Sequence, residues 1–439
     1  MSEVLLPKDW QAGVFSDIAE VNPSVAVADL CADTLVSFLT MADVSENGRV
    51  LNHQIRPLCE VRVGFTRFEE DDVLFAKITP CMQNGKGAFA RKLANQHGFG
   101  STEFHVLRAT EIGDAEFIYH LAQSSEVRSK AVTFFTGSAG QQRVDSKFFS
   151  CFSLLIPPLP QQRKIARILT TLDNLIEKTE ALIAKYQAIK QGLMHDLFTR
   201  GVDANGKLRP PQSEAPELYK QSELGWIPKE WEVHRLGDHL ERIEQGWSPD
   251  CETEPASAGE WGVLKTTSVV WEGFNCIENK RLPRQMPPLP QYEVQVEDVL
   301  MTRGGPNSRV GVVAHVKQTT DKLMLSDKIY RLVPKKGLFP RYLALALSSG
   351  RTQTHLSTLK TGLAESQTNI SQEIVRRLWI GIPKLGEQQT TCKIIEVTEN
   401  VLSSERRSLD AFRVQKSGLM QDLLTGKVPV KADEEIANV

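Results

Sequence analysis

The chain lacks the features that would mark a secreted, disulfide-stapled or membrane protein. Its seven cysteines (Cys31, Cys59, Cys81, Cys151, Cys251, Cys276 and Cys392) are scattered, odd in number and never spaced C-x-x-C. That argues against a disulfide framework and a zinc ribbon, and for a reduced, cytoplasmic compartment. No apolar run approaches the roughly 20 residues that cross a bilayer, so no membrane-spanning segment is expected. The opening MSEVLLPKDW carries Glu3 and Asp9 without a long apolar stretch, unlike a secretory signal. An excess of one charge is missing too: 52 Lys and Arg stand against 54 Asp and Glu, net -2. Any nucleic-acid binding must therefore come from local patches.

Catalytic signatures are equally scarce. There is no G-x-x-x-x-G-K-[ST] for ATP phosphates, no G-x-G-x-x-G between strand and helix, and no G-x-S-x-G elbow. The acidic or Asn-headed Pro-Pro-aromatic tetrad with which amino-methylating enzymes hold a flipped base is absent. His234 and His239 stand five apart, a spacing that does not put both on one helix face for zinc. Asp250, Glu278 and Lys280 satisfy a loose metal-nuclease pattern. That pattern is permissive, and Asp250 lies in the loop-like WSPDCETEPASAGE, so solvated loop charges account for it.

What the sequence does have is a duplication. Shifted by 226 positions, residues 156–202 align with 382–428 without a gap, and KQGLMHDLFTRGV lies on KSGLMQDLLTGKV. The same offset pairs Asp72-Val73-Leu74 with Asp298-Val299-Leu300, and Gln162 with Gln388. Nearby offsets pair PKDW with PKEW and Thr136-Gly137 with Thr361-Gly362. The repeat therefore spans a half-molecule.

Each half reads as a mixed α/β segment followed by one long helix. Three prolines, Pro157, Pro158 and Pro160, stop anything helical upstream of 161–199. Within it Ile165, Leu172, Tyr186 and Leu193 form one heptad line and Ile168, Leu175, Leu182 and Ile189 the other, predicting a coiled-coil seam. Ile395, Leu402, Leu409, Phe412 and Leu419 continue it in the second copy, interrupted by Glu405 and Lys416. The segments VRVGF, DVLFAKI, VGVVAHV and KIYRLV read as strands, and AEFIYHLAQSSEVRSKA and PRYLALALSSGR as helices. The resulting division is 1–155 and 228–381 as globular domains, 156–202 and 382–430 as helical spacers, 203–227 as a proline-rich linker and 431–439 as a frayed tail.

Positive charge gathers at matching places in both copies. Between Met301 and Arg341 nine Lys and Arg meet only Asp321 and Asp327; between Lys77 and Arg108 five meet Glu103 alone. Both stretches contain turn-rich loops, KITPCMQNGKG and TRGGPNSRVG. Lys and Arg supply phosphate contacts, while Asn, Gln and Arg can address base edges. A charge-rich stretch is usually just a solvated face; its recurrence on a duplicated frame points to a split nucleic-acid site.

Taken together, the repeated I-P-x-L-x-x-Q and G-L-M-x-D-L-x-T elements, DVLFAKITPCMQNGKG and ELGWIPKEWEVHRLGD resemble type I restriction-modification specificity subunits. The resemblance implies two α/β target recognition domains separated by two long antiparallel helices, and no catalysis or cofactor in this chain. It implies double-stranded DNA as ligand, read as two blocks around an unread gap. It also implies two modification subunits carrying S-adenosylmethionine, and restriction subunits working with ATP and Mg²⁺. On this reading DNA contacts are expected from Lys77, Thr79, Asn84, Lys86, Ser138, Gln141, Gln142 and Arg143. Their second-domain counterparts are Arg303, Asn307, Ser308, Arg309, Gln367 and Asn369. Partner contacts are expected from Lys190, Leu193, Met194, Leu197, Lys416, Leu419, Met420 and Leu423. Because Gly192 and Gly418 cost each helix roughly 1 kcal/mol against Ala, close packing there is expected to compensate.

Overall fold

A computed structural model describes residues 9–138, 141–360 and 368–431. It contains two compact units, Met1–Ala181 with Arg406–Val439, and Leu182–Glu405. Both are built on one topology. In the first, strands order as Ala19–Val21, Phe104–Ala109, Val73–Ala76 and Gly87–Phe89; in the second, as Leu240–Gln245, Ile329–Pro334, Val299–Thr302 and Val313–His315. All neighbours in these two sheets are antiparallel. A further sheet in each unit contains a parallel pair, Leu35–Leu39 with His97–Gly100 and Gly262–Leu264 with Leu323–Met324. The middle strands VLFA and VLMT are buried along their whole length, as central strands covered on both faces must be. Among the described residues no helix is long and apolar enough to cross a membrane.

The duplicated motifs turn out to be framework. Asp72 lies under a two-pronged clasp from Arg108, at 2.8 and 2.7 Å, and Arg331 likewise takes Asp298 at 2.9 Å. The strand that opens each domain pairs with the strand that leads into its long helix, Gln11–Val14 with Ser153–Ile156 and Glu232–Arg235 with Trp379–Ile382. The Trp of each P-K-x-W locks that pairing: Trp10 Nε1 donates to Gln161, and Trp231 Nε1 to Glu387. The next residue along, buried Gln162, accepts from the Asp114 amide and donates to the Ile112 and Pro157 carbonyls. Gln388 repeats this with the Phe339 amide and the Gly337 and Pro383 carbonyls. Three backbone groups are thus satisfied by one amide, which fixes each domain to the first turn of its helix.

The long helices are Leu159–Leu197 and Leu385–Leu424. Their seam differs from the sequence expectation by one residue on one line. Leu175 and Ile189, expected inside, are 39% and 40% exposed, whereas Ile165, Leu169, Leu172, Ile176, Thr179 and Ile183 are buried. Spacings of four and three alternate through that set, so the second line runs Leu169, Ile176, Ile183, Lys190, Leu197. The choice between neighbouring lines depends on what covers the helix, which local periodicity does not contain. Shifted by 226, the same seam returns as Thr391, Ile395, Thr398, Leu402, Leu409 and Leu423, all buried.

Pairing is antiparallel. In the first unit Asp173 of the first helix accepts Lys416 at 2.6 Å, and Glu180 accepts Arg413 at 2.8 Å. In the second unit Lys190 meets Glu399 at 3.0 Å. Asp173 and Glu399 are equivalent in the repeat, as are Lys190 and Lys416, so one ion pair is made twice with its partners exchanged. Burial opposes the charge on Glu399, yet Lys190 and Lys317 hold its carboxyl below the usual range. Lys416, an interruption in the sequence pattern, is an ion-pairing position of the seam.

Two further expectations need correction. The stretch read as a linker is folded: Tyr219–Ser222 and Gly225–Pro228 form a hairpin, and buried Arg209 clamps Glu387 at 2.7 and 3.1 Å. VRVGF is not a strand; the short helix Leu58–Val61 ends there and a turn leads into the strand Thr66–Glu69. The tail from residue 432 lies outside the described residues.

Candidate nucleic-acid interface

The end of each middle strand gathers much of what the sequence singled out. Lys77 follows Val73–Ala76; its amide donates to Glu103 and its carbonyl accepts from Val144. Arg303 follows Val299–Thr302 and repeats the arrangement with Lys328 and Ile370. One backbone geometry thus presents a cation at the same station of both domains.

A returning segment lies against that station. In the first domain Phe135–Thr136 pairs with Arg143–Val144, and the Thr79 amide donates to the Gln142 carbonyl. Ser138 and Gln141 are exposed, and the Gln141 amide donates to the Ser138 carbonyl at 3.1 Å. In the second domain Gly304-Gly305 pairs with Thr368-Asn369, bringing Asn369 beside Arg303. Gln367 lies outside the described residues. Lys77, Thr79, Gln141, Gln142 and Arg143 therefore converge in one domain, and Arg303 and Asn369 in the other.

Most of the remaining candidates have partners within their own fold. Lys86 Nζ donates to the Met41 carbonyl at 2.8 Å, and the Asn84 amide to Glu46 at 3.0 Å, tying the loop to the 41–49 turn. Arg309 faces inward, donating to the Thr266 and Val269 carbonyls. The Asn307 carbonyl accepts from Lys360, leaving Ser308 exposed at the tip of its turn. Arg143 is held by a fork on Glu103, at 2.9 and 2.8 Å, which neutralises part of the patch. Local charge counting registers a cation whether its partner is solvent or a carbonyl far along the chain, so these contacts are not legible in it.

The charge balance at the strand end is shaped by burial. His105, on the neighbouring strand, is pushed down by burial and by Lys77, and its Nε2 lies 2.9 Å from the Val144 carbonyl. It stays neutral beneath the cationic surface. Arg303 stands over the Tyr330 ring at 5.5 Å, and burial raises that phenol.

Beside Lys77 opens a cleft of about 380 Å³, lined among others by Asn22, Phe65, Arg67 and Phe104. No motif pointed to it; the available signal was an apolar Val-Gly-Phe tip flanked by Arg62 and Arg67. A larger cavity, about 850 Å³, lies in the same unit among Arg49, Gln123, Asp173, Arg413 and Lys416. Its walls mix both signs of charge, and it lies away from the strand end, so size does not make it the better nucleic-acid site.

The residues expected at the partner surface also make contacts within their own units. Leu197 and Leu423 are buried in the cores of their units, against which Leu193, Met194, Leu419 and Met420 also lie. Lys190 and Lys416 are in the ion pairs described above. The G-L-M-x-D-L end of each helix thus lies partly against its own unit, with Gly192, His195, Gly418 and Gln421 exposed. Packing within the chain does not explain the glycines: a Cβ at Gly192 or Gly418 would meet nothing within 4 Å.

The nuclease pattern finds no better support. Glu278 accepts from Thr267, and Asp250 and Lys280 flank Cys251, whose thiol burial pushes up. Among the described residues no group of three or more His, Cys, Asp or Glu is placed to hold a metal. His234 and His239 do meet, with rings 4.6 Å apart, because a strand end and a turn bring them together.

Comparison with known proteins agrees with this architecture. The profile of the type I restriction modification DNA specificity domain matches twice, at residues 7–187 and 228–411. The sequence is 33% identical to the type I restriction enzyme EcoEI specificity subunit of Escherichia coli, over 89% of this chain and 78% of that one. It is 26% identical to the MjaVIII specificity subunit of Methanocaldococcus jannaschii, over 82% and 80% of the two chains. The S subunit of the type I system from M. genitalium superposes with a TM-score of 0.57 at 12% identity, covering 97% of this chain and 98% of that one. A chain from a type I R-M system assembly gives 0.54 at 16% identity, covering 96% and 99%. At such identities these structures speak for the fold.

Proposed function

Because the chain belongs to the type I restriction-modification DNA specificity family, we propose that it is the DNA-reading subunit of such a complex. It recognises a target of two short blocks and recruits modification and restriction subunits that carry the chemistry. The observation that carries this reading is the duplicated strand end, where Lys77 and Arg303 occupy one backbone geometry in two domains. The segments laid against it, Gln141-Gln142 and Asn369, differ between the copies. A shared cation suits phosphate, which is the same at every base pair, whereas unlike amide side chains suit unlike base edges. Two domains with one frame and different readers would give two different blocks.

On this reading S-adenosylmethionine, ATP and Mg²⁺ belong to partner subunits, and this chain supplies sequence choice. Duplication implies two equivalent docking places, hence two modification subunits per chain. Native mass spectrometry of the chain co-expressed with its modification subunit tests this. Two bound at saturation is the expected result, and one alone would contradict it. The purified chain by itself should neither methylate nor, with Mg²⁺, cleave DNA.

A further inference from the structure

The cleft beside Lys77 has a chemistry of its own. Phe65, Thr66 and Arg67 form one side of it; Phe65 ends the turn 62–65 that leads from the helix Leu58–Val61 into the strand Thr66–Glu69, and Val63 stands on that turn beside the cleft. Gly64 makes the turn, with φ of 87° in the region other residues avoid, and a Cβ there would meet nothing within 4 Å. Backbone conformation, not crowding, therefore calls for glycine. The turn lifts Val63 and Phe65 into solvent, at 84% and 37% exposure. Two apolar side chains on a protruding tip gain free energy only if something covers them.

This wall is braced. The Phe65 ring stands edge-on to Phe38 at 4.8 Å, and Phe38 in turn carries the Arg56 guanidinium at 4.4 Å. Arg67, the next outward residue on the strand, donates to the Arg62 carbonyl at 2.9 Å, which holds its guanidinium over the turn. Lys77 and Phe104 also line the cleft, as does Asn22, held by its bonds to Val106 and His105. Among the described residues lining the cleft there is no carboxylate. Two cations, an apolar wall and no acid fit an electronegative, flat-edged ligand.

We propose that this cleft is a base-reading subsite of the first domain. Arg67 donates to a guanine edge in the major groove, while Val63 and Phe65 pack on the adjoining base or its methyl group. Guanine is the base that offers two acceptors side by side, O6 and N7, which a guanidinium fork matches. The subsite is continuous with the strand end through Lys77, and the proposal rests on the DNA-reading function above.

The test uses the full complex with its modification subunits and maps methylated sites for wild type, Arg67→Ala, Arg67→Lys and Phe65→Ala. For Arg67→Ala, methylation at the cognate site should fall about 10- to 100-fold, with other bases now accepted at one G·C position of one block. The other block and the gap should be unchanged. Arg67→Lys should keep guanine with weaker preference, and Phe65→Ala should relax only the neighbouring position. Equal loss at all sites with a salt slope reduced by about one would make Arg67 a phosphate contact and overturn the proposal. An unaltered pattern would overturn it too. Should Arg67→Ala fail to assemble, Arg67→Lys decides, since it keeps the charge and removes the fork. If wild type itself shows no two-block target, the DNA-reading function fails, a result distinct from either.

Discussion

At the scale of single residues, the repeated positions are the ones that hold each domain to its helix. Gln162 and Gln388, Trp10 and Trp231, Asp72 and Asp298 recur because the same backbone groups need the same partners in both units. His120 has no such twin, and it carries a pH dependence. It is wholly buried, with Nε2 2.9 Å from Thr170 Oγ1 and Nδ1 3.8 Å from Asp173. Burial, with Lys416 adding to it, lowers its pKa to about 3. The unfolded chain takes up this proton as pH falls through about 6.5, while the folded chain does not until near 3, so acid favours unfolding. Between pH 7.5 and 5.5 this should remove about 1.4 kcal/mol of stability. Unfolding measured at both pH values should show that much less acid sensitivity in His120→Gln; equal sensitivity would contradict the account.

At the scale of elements, the ion pair made twice sets the register of the long helices. Lys416→Asp would face Asp173 with a second carboxylate in a partly buried position and should cost about 1.5–3 kcal/mol. Adding Asp173→Lys should restore most of that, as thermal unfolding of both variants would show; no recovery would mean the pair does not fix the register. The helices themselves were legible from the sequence, since prolines mark where they start and a heptad runs through them. One seam line was misplaced by a residue, because the lines through Ile168 and through Leu169 are equally apolar until the covering surface is known. Leu169 is wholly buried in the core of its unit, and Ile168 packs only partly against it. The strands DVLFAKI and KIYRLV were legible from their apolar runs. The parallel pairing of Ser37–Leu39 with 98–100 was not, for it joins segments some sixty residues apart with no local signal. Near the candidate site, composition singles out the Lys77 and Gln142 loops, which the fold brings together. That Lys86 and Arg309 donate to carbonyls far along the chain, and that Arg67 lines a cleft with Lys77, was not legible, because those contacts exist only once the chain is folded.

At the scale of the whole molecule, the chain is a duplicated reader in which each long helix begins in one compact unit and ends in the other. We propose that helix length sets the unread gap in the target. Seven residues added to both helices keep the heptad seam and add about 10.5 Å, so the gap should grow by roughly three base pairs with both blocks unchanged. Four added residues break the seam and should impair assembly. A seven-residue variant that is fully active with the original gap would show that the helices do not set the spacing. The central claim, that this chain reads DNA in two blocks, is tested most directly by mapping methylated bases in host DNA when the chain is expressed with its modification subunits. The account predicts two short specific blocks separated by a gap of fixed length and free sequence; one contiguous block, or methylation independent of sequence, would contradict it.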